Sequence, residues 1–399
     1  MITGIKAKKI LDSRGKPSVE CRIETERGDV KTSIPCGASR GDYEAFFIDN
    51  EEALKNINGI IAKKLQGMEI DQKVIDELLI KMDGTDNKKN LGANAILPVS
   101  IAVCKAGALA RGVPLYKYIQ ELSGARLAIP KPMMVFIEGG KHSHPEFAST
   151  DVQEFMVVPD GKTFEESMEI GRQVYKKLGD YLASKNLSIE IGDEGAFIPK
   201  LASNENAIEI LTNVIEGSGY KKCVSIAIDA AASEFYQNGI YSLRKEKKGM
   251  SSSDLIELYE EWVGKYPITS IEDGLSQHDA ESWKELMKRL GKKVNIVGDD
   301  LTVTNMERLK MVKDRINAVI VKPTQIGTVS ETISFSNMAS ENKMDIVVSQ
   351  RGGETMDTFK SDLCVAIGGK FAKFGAPSRP ERIVKYDRLL EIEKELAHQ

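Results

Sequence analysis

Histidine is scarce in this chain, with four in 399 residues, too few to make imidazole-based metal chemistry the first expectation. The five cysteines, Cys21, Cys36, Cys104, Cys223 and Cys364, are odd in number, widely spaced and form no C-x-x-C pair. That usage argues for a reducing compartment and against a zinc site. There is no basic block, and 55 Lys+Arg against 59 Asp+Glu leave a net charge of −4. Neither nucleic acid nor a membrane surface is therefore expected as a partner. The amino terminus, MITGIKAKKILDSRG, lacks the apolar core of a signal peptide, and the most apolar stretch, 94–110, is interrupted by Lys105. A cytoplasmic location is the expectation. Fixed-period repeats and low-complexity runs are also missing.

What remains is a composition of ordinary globular type, 41% hydrophobic and 29% charged, with enough length for a barrel plus an appended module. Residues 1–125 place short strands (2–11, 18–25, 29–34) before helical segments (51–65, 72–82), the segregation typical of an α+β capping module. Gly and Pro in ELSGARLAIPKP mark the boundary, and 126–399 read as a β/α barrel. The small-residue loop CGASRGDYEA, 36–45, enters a helix-like stretch; taken alone it reads as a surface turn, and its Gly and Ser also suit a mobile lid over the active site. The apolar segment 91–108 reads as a core helix.

Four apolar, β-branched runs in the second half, SIAID, ITSIED, NIVGDD and AVIVK, end in Asp229, Glu272, Asp299 and Lys322. Such runs are the pattern of parallel strands buried on both faces. Helix-like segments separate them at intervals of about 25 to 45 residues, the span of a β-α unit, which predicts a (β/α)8 barrel. Taken singly, each acid reads as a cap for the helix that follows. Together they put three carboxylates and a lysine at the strand ends where barrels place their chemistry. Oxygen ligands of this kind fit Mg²⁺, a hard cation, and the lysine beside them fits a base. Two further acidic motifs, QEFMVVP with Glu154 and GDEGAFIP with Glu194, are weak signals in isolation.

Read in order, LDSRGKPSVE, GASRGDYEA, DGTDNKKNLGANAIL, QEFMVVP, GDEGAFIP, DAAASEFYQNGIY, YPITSIED, VGDDLTVTN, VKPTQIGTVSET, SQRGGETMD and GAPSRPERIVKYDRLLEIE resemble the blocks of the enolase family, nearly end to end. The resemblance implies an α+β amino-terminal domain capping a modified TIM-like (β/α)8 barrel whose first strands and helices run in unusual order. It implies reversible dehydration of 2-phosphoglycerate, a small anionic substrate, to phosphoenolpyruvate. Two Mg²⁺ ions per active site and a homodimer or higher assembly are implied as well.

Matched motif by motif, Asp229, Glu272 and Asp299 would bind the first Mg²⁺. Lys322 would remove the α-proton, its pKa lowered by the like charges of Mg²⁺ and Lys373; enolase-superfamily sites generally pair such a base with Mg²⁺. Glu194, with Glu154 beside it, would protonate the leaving hydroxyl. Lys373 would hold the substrate carboxylate, Arg351 its phosphate, and Ser39 in the lid a second Mg²⁺ that arrives with substrate. His142 and Gln153 match loop residues that close on the ligand.

The chain departs from the family at positions facing the phosphate and the lid. Gln350, Arg351 and Gly352 stand where His-Arg-Ser is usual; Gln350 carries no proton charge and Gly352 no hydroxyl. Glu138 replaces an Asn, as an extra negative charge near an anionic substrate, and the loop that follows is longer. Smaller changes are Arg40, Gly274, Ala196 and Phe374. These departures leave open a substrate altered at the 2-position, as for carboxyphosphonoenolpyruvate synthase-like eliminases, or an enolase-like binding protein without turnover.

Overall fold

The computed structural model describes residues 1–35, 37, 41–142 and 149–398, with the backbone alone at His142. Three antiparallel strands, β1 (Ile2–Leu11), β2 (Pro17–Thr25) and β3 (Gly28–Ser33), open the chain. Their inward residues Ile5, Val19, Cys21 and Ile23 join the core, which the alternation of apolar and polar residues along β2 foreshadows. The helix Ala93–Arg111 is long and apolar enough to cross a membrane, but 83% of its most apolar window is buried inside the protein. Gly112, at φ +66°, ends it, a left-handed cap that glycine adopts without a Cβ penalty.

The barrel comprises β4 (Lys131–Pro132), β5 (Met134–Glu138), β6 (Glu154–Pro159), β7 (Val224–Asp229), β11 (Ile268–Glu272), β12 (Asn295–Gly298), β13 (Ala318–Val321), β14 (Asp345–Ser349) and β15 (Phe371–Lys373). A small separate sheet of β8 (Tyr236–Gln237), β9 (Ile240–Leu243) and β10 (Lys248–Met250) follows β7. The barrel order is β4-β15-β14-β13-β12-β11-β7-β6-β5. Because β4 and β5 are successive pieces of one segment, pairing with β15 and β6 respectively, the sheet closes on itself. Met133, Val135, Met156, Val158, Ala227, Val297, Ala318, Ile320, Val347 and Phe371 fill its interior. Alternate residues such as Phe155, Ile226, Ile228, Val319 and Val348 belong to the main core cluster, so the strands are apolar on both faces.

One strand breaks the parallel rule. β6 runs antiparallel to both β5 and β7, a pairing that, unlike a parallel one, needs no helical crossover between β5 and β6. Its first residue, Glu154, therefore lies at the rim where β5 and β7 end. Returning from the far end of β6 to the start of β7 takes two helices, Phe164–Ser184 and Asn204–Ser218. The loop between them comes back to the rim carrying Glu194.

The lid expectation needs a correction in its second half. Residues 41–49 are irregular, and the helix starts only at Asn50, capped by the Asp49 carboxylate accepting from the Glu51 amide at 2.9 Å. Contacts with the barrel replace helical ones: the Ala45 amide donates to the Gln325 carbonyl at 2.8 Å. The Arg308 guanidinium lies 3.5 Å over the Tyr43 ring, and Asp42 meets His278 at 2.9 Å.

Candidate active site

Backbone register lines up carboxylates along the barrel rim. Glu138 pairs with Glu154, Glu154 with Asp229, and Asp229 with Glu272, so four adjacent strands each bring an acid to one end. Like charges so placed repel unless a cation joins them. Lys373, at the end of β15, supplies it: its ammonium lies 2.9 Å from Glu154, 2.9 Å from Asp229 and 2.8 Å from Glu272. Burial alone would favour loss of its proton, but the Asp229, Glu154 and Glu272 charges outweigh that and raise its pKa. Burial and the neighbouring Asp229 push the Glu272 carboxyl well up.

Next along the rim, Asp299 follows β12 and Lys322 follows β13, and the two form a close ion pair. Burial opposes the charge on Lys322, yet Asp299 prevails and the lysine's pKa is raised, contrary to the expected depression. The like charges of Arg351 and Lys373 act in the expected direction but are weaker than the contact with Asp299. Asp299 is correspondingly held low despite its burial, and Gln325 donates to its other oxygen at 2.8 Å.

Ten of the residues expected in the site line one cavity: Gln153, Glu154, Glu194, Asp229, Asp299, Lys322, Gln350, Arg351, Gly352 and Lys373. Glu272 joins them through Lys373. Ser39 and the His142 side chain lie outside the described residues. Gln153, held where its amide donates to the Asp229 carbonyl at 3.0 Å, has its Oε1 buried with no partner among the described residues. Arg351 Nη1 reaches both carboxylate oxygens of Glu44, at 3.0 and 2.9 Å, from the amino-terminal part of the chain. Gln350 faces the cavity, yet both ends of its amide are engaged by protein, donating to Glu194 and accepting from Arg382.

Glu138 is not the loose negative charge expected near the substrate. It is fully buried, and its Oε1 accepts the backbone amides of Glu194 at 3.0 Å and Ala196 at 2.8 Å. Gly192 makes room, since a Cβ there would come within 2.4 Å of Glu138 Oε2. An Asn side chain would offer one carbonyl oxygen in place of a charged acceptor, so the departure from the family strengthens the support of this loop. Glu138→Ala will lower stability by about 2 kcal/mol through two orphaned buried amides. Urea denaturation checks the loss, and faster hydrogen exchange at the amides of 194 and 196 checks its location.

Two family models match the chain: Enolase, N-terminal domain, over residues 2–119, and Enolase, C-terminal TIM barrel domain, over residues 126–399. The chain belongs to the enolase family. Its rim of acids around a lysine-bearing barrel mouth lies within the matched C-terminal domain, and LDSRG gains a structural reason. The Asp12 carboxylate in that enolase block accepts the Arg14 and Lys16 amides, each at 2.9 Å. The turn it makes packs beneath the site, where a Cβ on Gly353 would come within 2.0 Å of Asp12 Oδ2.

The donor set suits the divalent cation expected of an enolase. Eight carboxylates line the cavity against three cationic groups, Lys322, Arg351 and Lys373, so an anionic ligand needs added positive charge. The Glu272 Oε1 is buried without a partner among the described residues, an atom a cation would satisfy. Asp273, Asp299 and Asp300 also bring carboxylate oxygens within 4.8 Å of one another. Asp273, however, spends its two oxygens on the backbone amides of Asp299 at 2.9 Å and Asp300 at 2.8 Å. It holds the Asp299 loop in place, which favours Asp229, Glu272 and Asp299 as the ligand set. Burial, then Asp299, pushes Asp300 up to about 7.

Sequence reasoning missed Glu44, Asp273, Asp300 and Arg382. Glu44, Asp273 and Asp300 sit inside quoted motifs and carried a signal. Arg382, in the helix Pro380–Ala397, also sits in a quoted block, but nothing in its helical context pointed to the site.

Proposed function

We propose that this enolase-family protein is a Mg²⁺-dependent hydro-lyase that converts 2-phosphoglycerate reversibly to phosphoenolpyruvate and water. The observation that carries the reading is the convergence of a lysine, Lys322, a supported acid, Glu194, and the Asp229, Glu272 and Asp299 carboxylates at one barrel mouth. Such a set matches removal of a proton beside a carboxylate followed by loss of a β-hydroxyl.

Lys322, deprotonated, takes the α-proton onto Nζ. The electron pair left on the α-carbon forms the new carbon–carbon double bond as the β-hydroxyl departs. Glu194 supplies the proton that lets it leave as water. Glu154 lies 2.9 Å from the Lys373 ammonium, while Glu194 accepts from the Gln350 amide; this reading gives the acid's proton to Glu194. Lys373 and Arg351 are the cations that orient the substrate carboxylate and phosphate. Bound Mg²⁺ would neutralise charge accumulating on the substrate carboxylate and take up the Asp299 charge that otherwise holds the Lys322 proton.

The test is direct. Purified protein with Mg²⁺ and 2-phosphoglycerate will produce enol absorbance in the ultraviolet, and chelation will stop it. Absence of turnover while Mg²⁺ binds sinks the 2-phosphoglycerate assignment; analogues enlarged at the 2-position then separate a divergent eliminase from a protein that only binds.

A further inference from the structure

We propose that Arg382 is a positioning residue that fixes the polarity of the Gln350 amide and, through it, decides which oxygen of Glu194 carries the proton. The inference deepens the proposed reaction and rests on Glu194 being its acid. Arg382 does not line the cavity and is completely buried. Its guanidinium donates to the Arg351 carbonyl at 2.9 Å, the Gly352 carbonyl at 2.7 Å and the Asp193 carbonyl at 3.1 Å, as well as to Gln350 Oε1. One side chain thus joins the two loops that bring Glu194 and Gln350 to the site.

The chemistry of the donors sets the direction. Arginine has donors only, so the Gln350 atom facing it must be the carbonyl oxygen. The amide is planar, and its NH₂ therefore points the other way, at Glu194 Oε2. The carbonyl-type oxygen of a protonated carboxyl is the better acceptor, so this hydrogen bond favours the proton on Oε1. When Glu194 delivers it, the remaining charge is met by a hydrogen bond already in place, which strengthens as the acceptor ionises. Without Arg382 the amide is free to turn and offer its carbonyl, which would hold the proton on Oε2, facing Gln350. Gly375 keeps this arrangement tight, since a Cβ there would come within 2.8 Å of Gln350 Oε1.

Two measurements test it. The first needs no substrate: the Gln350 side-chain NH₂ resonances of the full-length protein will follow a titration that disappears in Glu194→Gln, and Arg382→Met will uncouple them from it. Should the NH₂ of the parent protein ignore Glu194, or should the coupling survive Arg382→Met, the relay is wrong. The second reads the two halves of the reaction on the substrate turned over. Arg382→Met will lower elimination at least tenfold while α-hydrogen exchange with solvent deuterium stays within about threefold of the parent. A purely structural role would depress both together and overturn the proposal. Gln350→Met covers the case in which Arg382→Met does not fold: it removes the same donor and must give the same split. In that background Arg382→Met must add no further loss of elimination; an additive loss also refutes the relay. If the NH₂ coupling holds but no 2-substituted glycerate is exchanged or eliminated, the reaction assignment has failed and the relay stands.

Discussion

Replacing Lys322 with alanine will lower turnover by about 100- to 10,000-fold, the range general acid–base groups contribute. It will also stop exchange of the substrate's α-hydrogen with solvent deuterium. The second effect is the diagnostic one, because loss of exchange locates the defect at proton removal rather than at departure of the hydroxyl. Mg²⁺ affinity will be unchanged or higher in this variant, since Asp299 loses the ammonium that now pairs with it; calorimetric titration of the substrate-free protein measures that separately. Persistent exchange in Lys322→Ala would remove the lysine from the base position. A fall in Mg²⁺ affinity would show that the ion pair helps to shape the cation site instead of competing for it.

The second large effect lies away from the chemistry. Glu354, 1% exposed, accepts from Lys360 and lies 3.0 Å from Lys385, both of which are buried. Against the cost of its burial, Lys360 and then Lys385 hold the Glu354 carboxyl far below the ordinary range. The same contacts do not hold Lys360 up: burial brings it down to about 8 although Glu354 opposes the fall, and the second ammonium, Lys385, adds to it. Glu354→Gln leaves two buried ammonium groups facing an uncharged amide and will cost about 3–5 kcal/mol. The sign with pH follows from the depressed carboxyl. Its contribution is fully present above the unfolded value of about 4.3 and is lost as pH falls below it, where the unfolded chain binds the extra proton. Denaturation curves at pH 7 and pH 3.5 will therefore differ less for Glu354→Gln than for the parent. An equal pH dependence would mean that Glu354 does not carry this part of acid stability.

The strand-end residues were legible because buried parallel strands are nearly all apolar. One charged residue closing SIAID, ITSIE or AVIVK contrasts with its surroundings, and NIVG followed by Asp299 behaves likewise. Glu194 was legible only as a motif, since its turn gives no periodic signal of its own. Glu138 misled for a physical reason: a charge read from sequence carries no direction, and this one faces backbone amides instead of the cavity. The loop read as a lid was only partly legible. Its small residues and glycines were visible, but the irregular course of 41–49 depends on partners such as Gln325 and Arg308, far along the chain.

The sequence by itself determined the alternation of strands and helices, the enolase resemblance and the residue types available for proton transfer and cation binding. Only the tertiary structure decided who pairs with whom. β15 lies across the barrel mouth from β11 in the strand order, so one ammonium on Lys373 reaches acids from β6, β7 and β11 only once the sheet has closed. Arg351 meets Glu44 across 307 positions of chain, and Arg382 meets Gln350 across 32. Ion pairs and hydrogen bonds depend on distances of about 3 Å, and closure of the barrel, not spacing along the chain, sets those distances.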